Sequence, residues 1–133
     1  MATIRNDITI DAPADAVWDA LRDFQAVHRR VAPGFLTDSQ PDGESVRVVH
    51  FANGTTARET LVSSDDERRR LVYAIIGGRA AHYNASVQVI AEDAGRCRVE
   101  WLIDLMPNEF ADYVRGQTRL AVGDMQRTMG RVS

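Results

Sequence analysis

The sequence predicts an α+β fold in which a curved antiparallel sheet of seven strands wraps around one long C-terminal helix. Between Phe35 and Pro107, alternating or apolar segments are separated at regular intervals by short turn signals, as in a series of strands. The last segment has one broad apolar face, which is typical of a helix covered on one side only. Because a single long helix must cover one face of this sheet, we expect the sheet to curl around it.

The chain begins with one strand and two short helices. In residues 3–10, isoleucines alternate with polar residues, which indicates a strand. Pro13 suits the first position of a helix, and apolar residues recur at helical spacing from there to residue 23. A second short helix over residues 24–30 is expected to stop before Pro33.

Six further strands are expected to follow. The first begins at Phe35, and the others cover residues 45–51, 55–63, 69–76, 83–91 and 96–105. Turn signals between them include Pro41-Asp42-Gly43, Asn53-Gly54 and Asp93-Ala94-Gly95. Short connections of this kind favour antiparallel neighbours.

The final helix is expected to open at Pro107. At about 100° per residue, one group of mostly apolar side chains lies within an arc of about 120°: Phe110, Val114, Thr118, Ala121, Val122, Met125 and Met129. Space between this face and a curved sheet would form a cavity of about 300 to 1,000 Å³, or would be filled by large side chains.

The composition is that of one globular domain, expected to cover residues 1–133. With 16 basic and 19 acidic residues, the net charge of −3 argues against nucleic-acid binding. All the basic residues are arginine, so Schiff-base chemistry on a lysine is excluded. Because the sequence shows neither a membrane span nor a signal peptide, a cytoplasmic protein is expected. Cys97 lies in an alternating strand pattern and is expected to be a buried thiol.

The order of elements resembles that of the START-like (SRPBCC, Bet v 1-like) helix-grip superfamily, which includes bacterial polyketide cyclase/dehydrase-like proteins and the plant abscisic acid receptors. The likeness to the receptors spans residues 46–130. The matching segments are Glu59, Asp65-Asp66-Glu67-Arg68-Arg69, Ile75-Ile76-Gly77-Gly78, Tyr83, Met106-Pro107 and Phe110-Ala111-Asp112.

The resemblance implies a small-molecule site between the sheet and the last helix. The positions that it implies as ligand-binding are Ala57, Glu59, Tyr73, Ile75, Tyr83, Ala85, Glu100, Phe110, Val114 and Thr118. Side-chain alternation within the strands supports most of these positions, because they share the more apolar face. The exception is the strand over residues 96–105. Alternation predicts that Trp101 faces inward, whereas the resemblance implies that Glu100 does. A bulge that changes the phase of the strand would reconcile the two.

The sequence also departs from the receptors. Thr37 is the nearest counterpart of the lysine that the receptors place against the hormone carboxylate. The segment His50 to Gly54 lacks the proline of their gate loop, and the segment from Arg79 to His82 is two residues shorter than their latch. Hormone reception and phosphatase inhibition are therefore not expected.

Glu59 is the candidate catalytic residue. A carboxylate on a cavity wall loses hydration, which favours its protonated form and would let it exchange a proton with a bound carbonyl or phenol. The alternative is that Glu59 pairs with an arginine or with ordered water. Tyr73 and Tyr83 could orient a ligand or pack in the core, whereas His82 falls on the polar side of its strand.

No metal or cofactor is expected, because the three histidines have no metal-ligand spacing and no nucleotide fingerprint is present. Three functions fit the sequence. The first is binding or transport of a small hydrophobic ligand, such as a lipid, a polyketide or an aromatic molecule. The second is a polyketide cyclase/dehydrase-type enzyme that uses Glu59. The third is a protein-interaction module, with a possible homodimer formed through Tyr113 and Leu120.

Overall fold

The computed structural model describes residues 1–130, and its strands form one antiparallel sheet. The strands are β1 (Ala2–Ile10), β2 (Leu36–Pro41), β3 (Val46–Phe51), β4 (Thr56–Asp65), β5 (Arg70–Ile76), β6 (His82–Asp93) and β7 (Arg96–Met106). Their order in the sheet is β1-β7-β6-β5-β4-β3-β2, so that all neighbours except β1 and β7 are consecutive in the chain. The predicted helix-grip architecture is confirmed; residues 131–133 of the predicted domain lie outside the described residues.

The helices are α1 (Ala14–Arg22), α2 (Val27–Arg30) and α3 (Ala111–Met129). A 3-10 turn at Phe24–Ala26 leads into α2, so the predicted second helix is divided in two. Pro13 caps α1 in an extended conformation and does not begin it. A second 3-10 turn, Asn108–Phe110, precedes α3, which contacts β1 across the inner face of the sheet.

The half of the sheet nearest β1 carries a closely packed core. Strict alternation turns the isoleucines of β1 toward the same side as Val99, Ile103 and Leu105 of β7. Those three β7 side chains are fully buried. Burial of each such side chain contributes about 1.5–3 kcal/mol relative to full exposure. These side chains therefore form the packed part of the core.

The outer face of β1 and β7 carries charged side chains in ion pairs. Arg5 pairs with Asp7 and, 3.0 Å away on β7, with Glu100. Cys97 lies on the inner face and is fully buried, and burial raises the pKa of its thiol. Within residues 1–130, no helix has the length and apolar character that a membrane span requires.

Candidate functional site

A cavity of about 470 Å³ lies between the inner face of the sheet and α3. Strands β3, β4 and β5 form one wall, α3 forms another, and apolar side chains of α1 and of the segment around α2 close one end. Its volume falls in the range of small-molecule sites, about 300 to 1,000 Å³.

Most of the residues expected around a ligand lie on the cavity wall. They are Ala57, Glu59, Tyr73, Ile75, Tyr83, Phe110, Val114 and Thr118. Ala85 shares their face of the sheet, between Tyr73 and Ile103 of the adjacent strands, but it is fully buried and does not reach the wall. Its short side chain is covered by those larger neighbours.

Trp101, and not Glu100, faces the cavity. The register between β6 and β7 runs without a shift from His82 opposite Met106 to Ala91 opposite Cys97, so no bulge changes the phase near Glu100. Glu100 instead pairs on the outer face with Arg5 at 3.0 Å and with Arg98 at 3.8 Å. The implied inward position of Glu100 is therefore wrong.

Glu59 is paired with an arginine on the cavity wall. Arg47 of β3 lies directly opposite Glu59 of β4, and its Nε donates to Oε1 of Glu59 at 2.7 Å. Both residues are buried, with 5% of Arg47 and 6% of Glu59 exposed. The alternative interpretation of Glu59, as one half of an ion pair, is the arrangement that the structure shows.

Arg47 was missed by the sequence reasoning. Its guanidinium stacks on the ring of Phe24 at 3.9 Å and lies 5.3 Å from the ring of Tyr73, and Nη1 donates to the carbonyl oxygen of Phe24 at 2.8 Å. The signal that could have found it is alternation, since Arg47 shares one face of β3 with the buried Val49 and the cavity-lining Phe51. Aromatic stacking and the ion pair together hold the guanidinium in place.

Two tyrosines and a tryptophan add polar atoms beside this pair. Burial raises the pKa of Tyr73 far above its usual value, and the nearby charge of Glu59 adds to the effect. Burial likewise raises the pKa of Tyr83 well above its usual value, with smaller contributions from Tyr73 and Glu59. Both phenols therefore keep their protons at neutral pH. Nε1 of Trp101 is buried without a hydrogen-bond partner among residues 1–130.

Two loops and α3 surround one end of the cavity. Asn53, in the loop between β3 and β4, donates from Nδ2 to the hydroxyl oxygen of Tyr113 at 2.8 Å. Arg79, in the loop between β5 and β6, lies over the ring of Phe110 at 5.0 Å. His82 at the start of β6 is exposed, on the polar side of its strand as predicted.

Comparison with known proteins identifies the family. Residues 1–132 match the family described as polyketide cyclase / dehydrase and lipid transport. The chain belongs to this family. No curated protein matches the sequence at a significant level.

Several solved structures also have the fold of this chain. The protein XoxI from Bacillus cereus is 20% identical, with a TM-score of 0.86 over 97% of this chain and 96% of its own. The di-domain ARO/CYC BexL from the BE-7585A biosynthetic pathway is 16% identical, with a TM-score of 0.82 over 96% of this chain and 46% of its own. Norcoclaurine synthase from Thalictrum flavum, in complex with dopamine and hydroxybenzaldehyde, is 16% identical, with a TM-score of 0.68 over 95% of this chain and 84% of its own.

These likenesses show that the chain shares its fold with the three proteins. A START superfamily protein from Mycobacterium smegmatis, 8% identical, has the same fold, with a TM-score of 0.73 over 94% of this chain and 97% of its own. One fold can carry different activities, so function must be argued from the side chains of the cavity.

Proposed function

We propose that the protein binds a small hydrophobic molecule in the cavity between the sheet and α3. The observation that supports this most directly is an internal space of about 470 Å³ whose wall is mostly apolar and aromatic. A cavity of this size costs stability unless something fills it, because its lining atoms lose dispersion contacts. The description of the family, which includes lipid transport, is consistent with such a role.

Native mass spectrometry of freshly purified protein tests this proposal. A hydrophobic small molecule that copurifies is expected to appear as added mass and to be lost on denaturation. The matched control is a variant in which Ala57→Trp fills the cavity from β4, and this variant should carry no added mass. If wild type and variant both carry nothing, and no hydrophobic compound binds the wild type in calorimetry, the proposal is wrong.

A polyketide cyclase/dehydrase-type reaction is the second candidate. Glu59 and the hydroxyl groups of Tyr73 and Tyr83 lie on one cavity wall, where a carboxylate can move a proton and a phenol can orient a carbonyl oxygen. The ion pair with Arg47 weakens this candidate, because a carboxylate held by a guanidinium is a poor proton donor.

Turnover of a polyketide-like substrate by the wild type and by Glu59→Gln distinguishes the two candidates. The enzyme proposal requires that the variant still bind the substrate and lose turnover. Glu100→Gln is the matched control, since Glu100 lies on the outer face. Unchanged turnover in Glu59→Gln would contradict a catalytic role for Glu59.

A homodimer remains a proposal of its own. Leu120 of α3 is 63% exposed and Tyr113 is 48% exposed, so both could contact a second copy. Sedimentation over a range of concentrations tests it, and a monomer throughout would contradict an interface at Leu120.

A further inference from the structure

The ion pair on the cavity wall has hydrogen-bonding atoms that its own contacts do not use. Nε and Nη1 of Arg47 are engaged by Glu59 and by the carbonyl group of Phe24. Oε1 of Glu59 accepts the hydrogen bond from Nε. Among residues 1–130, Nη2 of Arg47 and Oε2 of Glu59 have no hydrogen-bond partner, and both side chains line the cavity.

The two unused atoms belong to side chains that are in direct contact. Nη2 belongs to the guanidinium plane and Oε2 to the carboxylate plane, and the 2.7 Å contact between Nε and Oε1 joins these planes. Stacking of the guanidinium on Phe24 at 3.9 Å limits its rotation. A ligand that carries both an acceptor and a donor matches the chemistry of these two atoms, because the guanidinium donates and the carboxylate accepts.

The charge of the pair determines which ligands fit. Arg47 and Glu59 carry opposite charges at contact distance, so the buried pair is neutral as a whole. A ligand carboxylate would bring an uncompensated negative charge beside Glu59 into a wall from which water is largely excluded, and this is costly. Tyr73 and Tyr83 keep their protons and add no charge beside the pair. Two further cations border the cavity: Arg58 pairs with Asp42, and Arg79 lies over the ring of Phe110 in the loop between β5 and β6.

We infer that the cavity selects an uncharged molecule with an apolar body and an adjacent acceptor and donor, such as a hydroxycarbonyl or a primary amide, which binds Nη2 of Arg47 and Oε2 of Glu59. A ligand carboxylate beside this pair is discriminated against. This inference rests on the proposed ligand-binding function and adds the polar chemistry of the ligand to it.

Three naphthalene derivatives of nearly equal shape test the selection by isothermal titration calorimetry at about pH 7.5. The probe 2-naphthamide has both an acceptor and a donor, 2-acetonaphthone has the acceptor only, and 2-naphthoate is an anion at this pH. The amide is expected to bind best, the ketone about tenfold more weakly, and the naphthoate more weakly still, by at least about another tenfold.

A charge-removing variant gives a second, independent test. In Glu59→Gln, the charge of Arg47 is no longer compensated, so 2-naphthoate is expected to bind at least about tenfold more tightly than it binds the wild type. The matched control Glu100→Gln removes the same charge from the outer face and should leave the three affinities unchanged. Circular dichroism spectra establish that both variants are folded.

The possible outcomes separate the two proposals. If none of the three probes binds the wild type while a hydrophobic molecule copurifies, the selection is wrong and ligand binding stands. If none binds and nothing copurifies, ligand binding in the cavity is contradicted. If the probes bind and 2-naphthoate binds as tightly as 2-naphthamide, the selection for an uncharged ligand is wrong while ligand binding stands. If Glu59→Gln does not fold, the order of affinities in the wild type still decides the inference.

Discussion

Asp124 of α3 accepts a hydrogen bond from the backbone N–H of Gly34 at 2.8 Å through its Oδ2. The same oxygen accepts a second hydrogen bond from the N–H of Phe35 at 2.9 Å. One buried carboxylate therefore fastens the long helix to the segment that leads into β2. A Cβ at Gly34 would lie 3.1 Å from Oδ1 of Asp124, so this close approach also favours glycine.

Asp124→Ala is expected to lower the free energy of unfolding by about 1–3 kcal/mol, because two backbone donors lose a charged acceptor. Urea denaturation measures the change. Asp112→Ala is the control, since Asp112 lies on the same helix with its side chain 98% exposed, and it should have little effect. Equal effects of the two substitutions would show that the contact with Gly34 does not stabilise the fold.

Arg47→Met is expected to destabilise the protein by about 3–5 kcal/mol, because it leaves the Glu59 carboxylate buried and unpaired. The double variant Arg47→Met/Glu59→Met removes both charges and should be more stable than the single variant. Arg5→Met, which removes an exposed partner of Glu100, provides the comparison for a solvated ion pair. Glu59→Met alone completes the cycle, and a double variant that loses the sum of the losses of Arg47→Met and Glu59→Met would contradict a coupled pair.

Stability is expected to fall at alkaline pH because of Tyr73 and Tyr83. Their folded-state pKa values are raised, whereas the unfolded chain ionises its tyrosines near pH 10. Above that pH the folded state binds more protons than the unfolded state, so the free energy of unfolding decreases as pH rises. The stabilisation is fully present below about pH 10.

Denaturation at about pH 9 and pH 11 measures this effect. Tyr73→Phe should show a smaller decrease than the wild type, since one buried phenol has been removed. Absorbance of tyrosinate gives a second reading, because Tyr73 and Tyr83 should ionise only when the protein unfolds. Ionisation of every tyrosine in the folded protein near pH 10 would contradict the raised pKa values.

Hydrogen exchange over residues 77–82 is expected to be faster in the empty protein than in the occupied one. Gly77 and Gly78 have positive φ angles of 70° and 81°, where other residues are strained. Arg79 contacts Phe110, whose side chain also lines the cavity. A ligand that packs on Phe110 should therefore reduce the motion of the loop over residues 77–82.

Exchange measured by mass spectrometry with and without saturating 2-acetonaphthone tests this expectation. The β1 segment Ala2–Ile10 serves as the internal control and should exchange equally in both samples. Identical exchange of residues 77–82 in the two samples would show that the loop does not respond to occupancy.

The sheet and the long helix were predictable because each has a local signature. Alternation along β7 places Trp101 inward on the same grounds that turn Val99 and Ile103 inward, and the structure follows that pattern without interruption. The resemblance to the plant receptors implied instead that Glu100 faces inward, and that expectation was wrong. Local alternation was the stronger guide, because a strand without a bulge leaves each side chain only one face.

The ion pair on the cavity wall has no local sequence signature of this kind, so it was not predictable. Arg47 and Glu59 lie twelve residues apart, and only the register between β3 and β4 brings them opposite each other. A sequence specifies that register through the turn and the packing of both faces together, which no single motif records. The partner of Glu59 could therefore be anticipated as an arginine but not as Arg47.

The two tryptophans lie in different surroundings, and this has a practical use. Trp101 is part of the cavity wall, whereas Trp18 donates from Nε1 to Asp66 at 2.9 Å, in the turn after β4. Trp18→Phe would leave Trp101 as the single indole of the chain. Its fluorescence emission should then shift when a ligand enters or leaves the cavity. The intrinsic fluorescence of this variant would therefore report cavity occupancy without an added label.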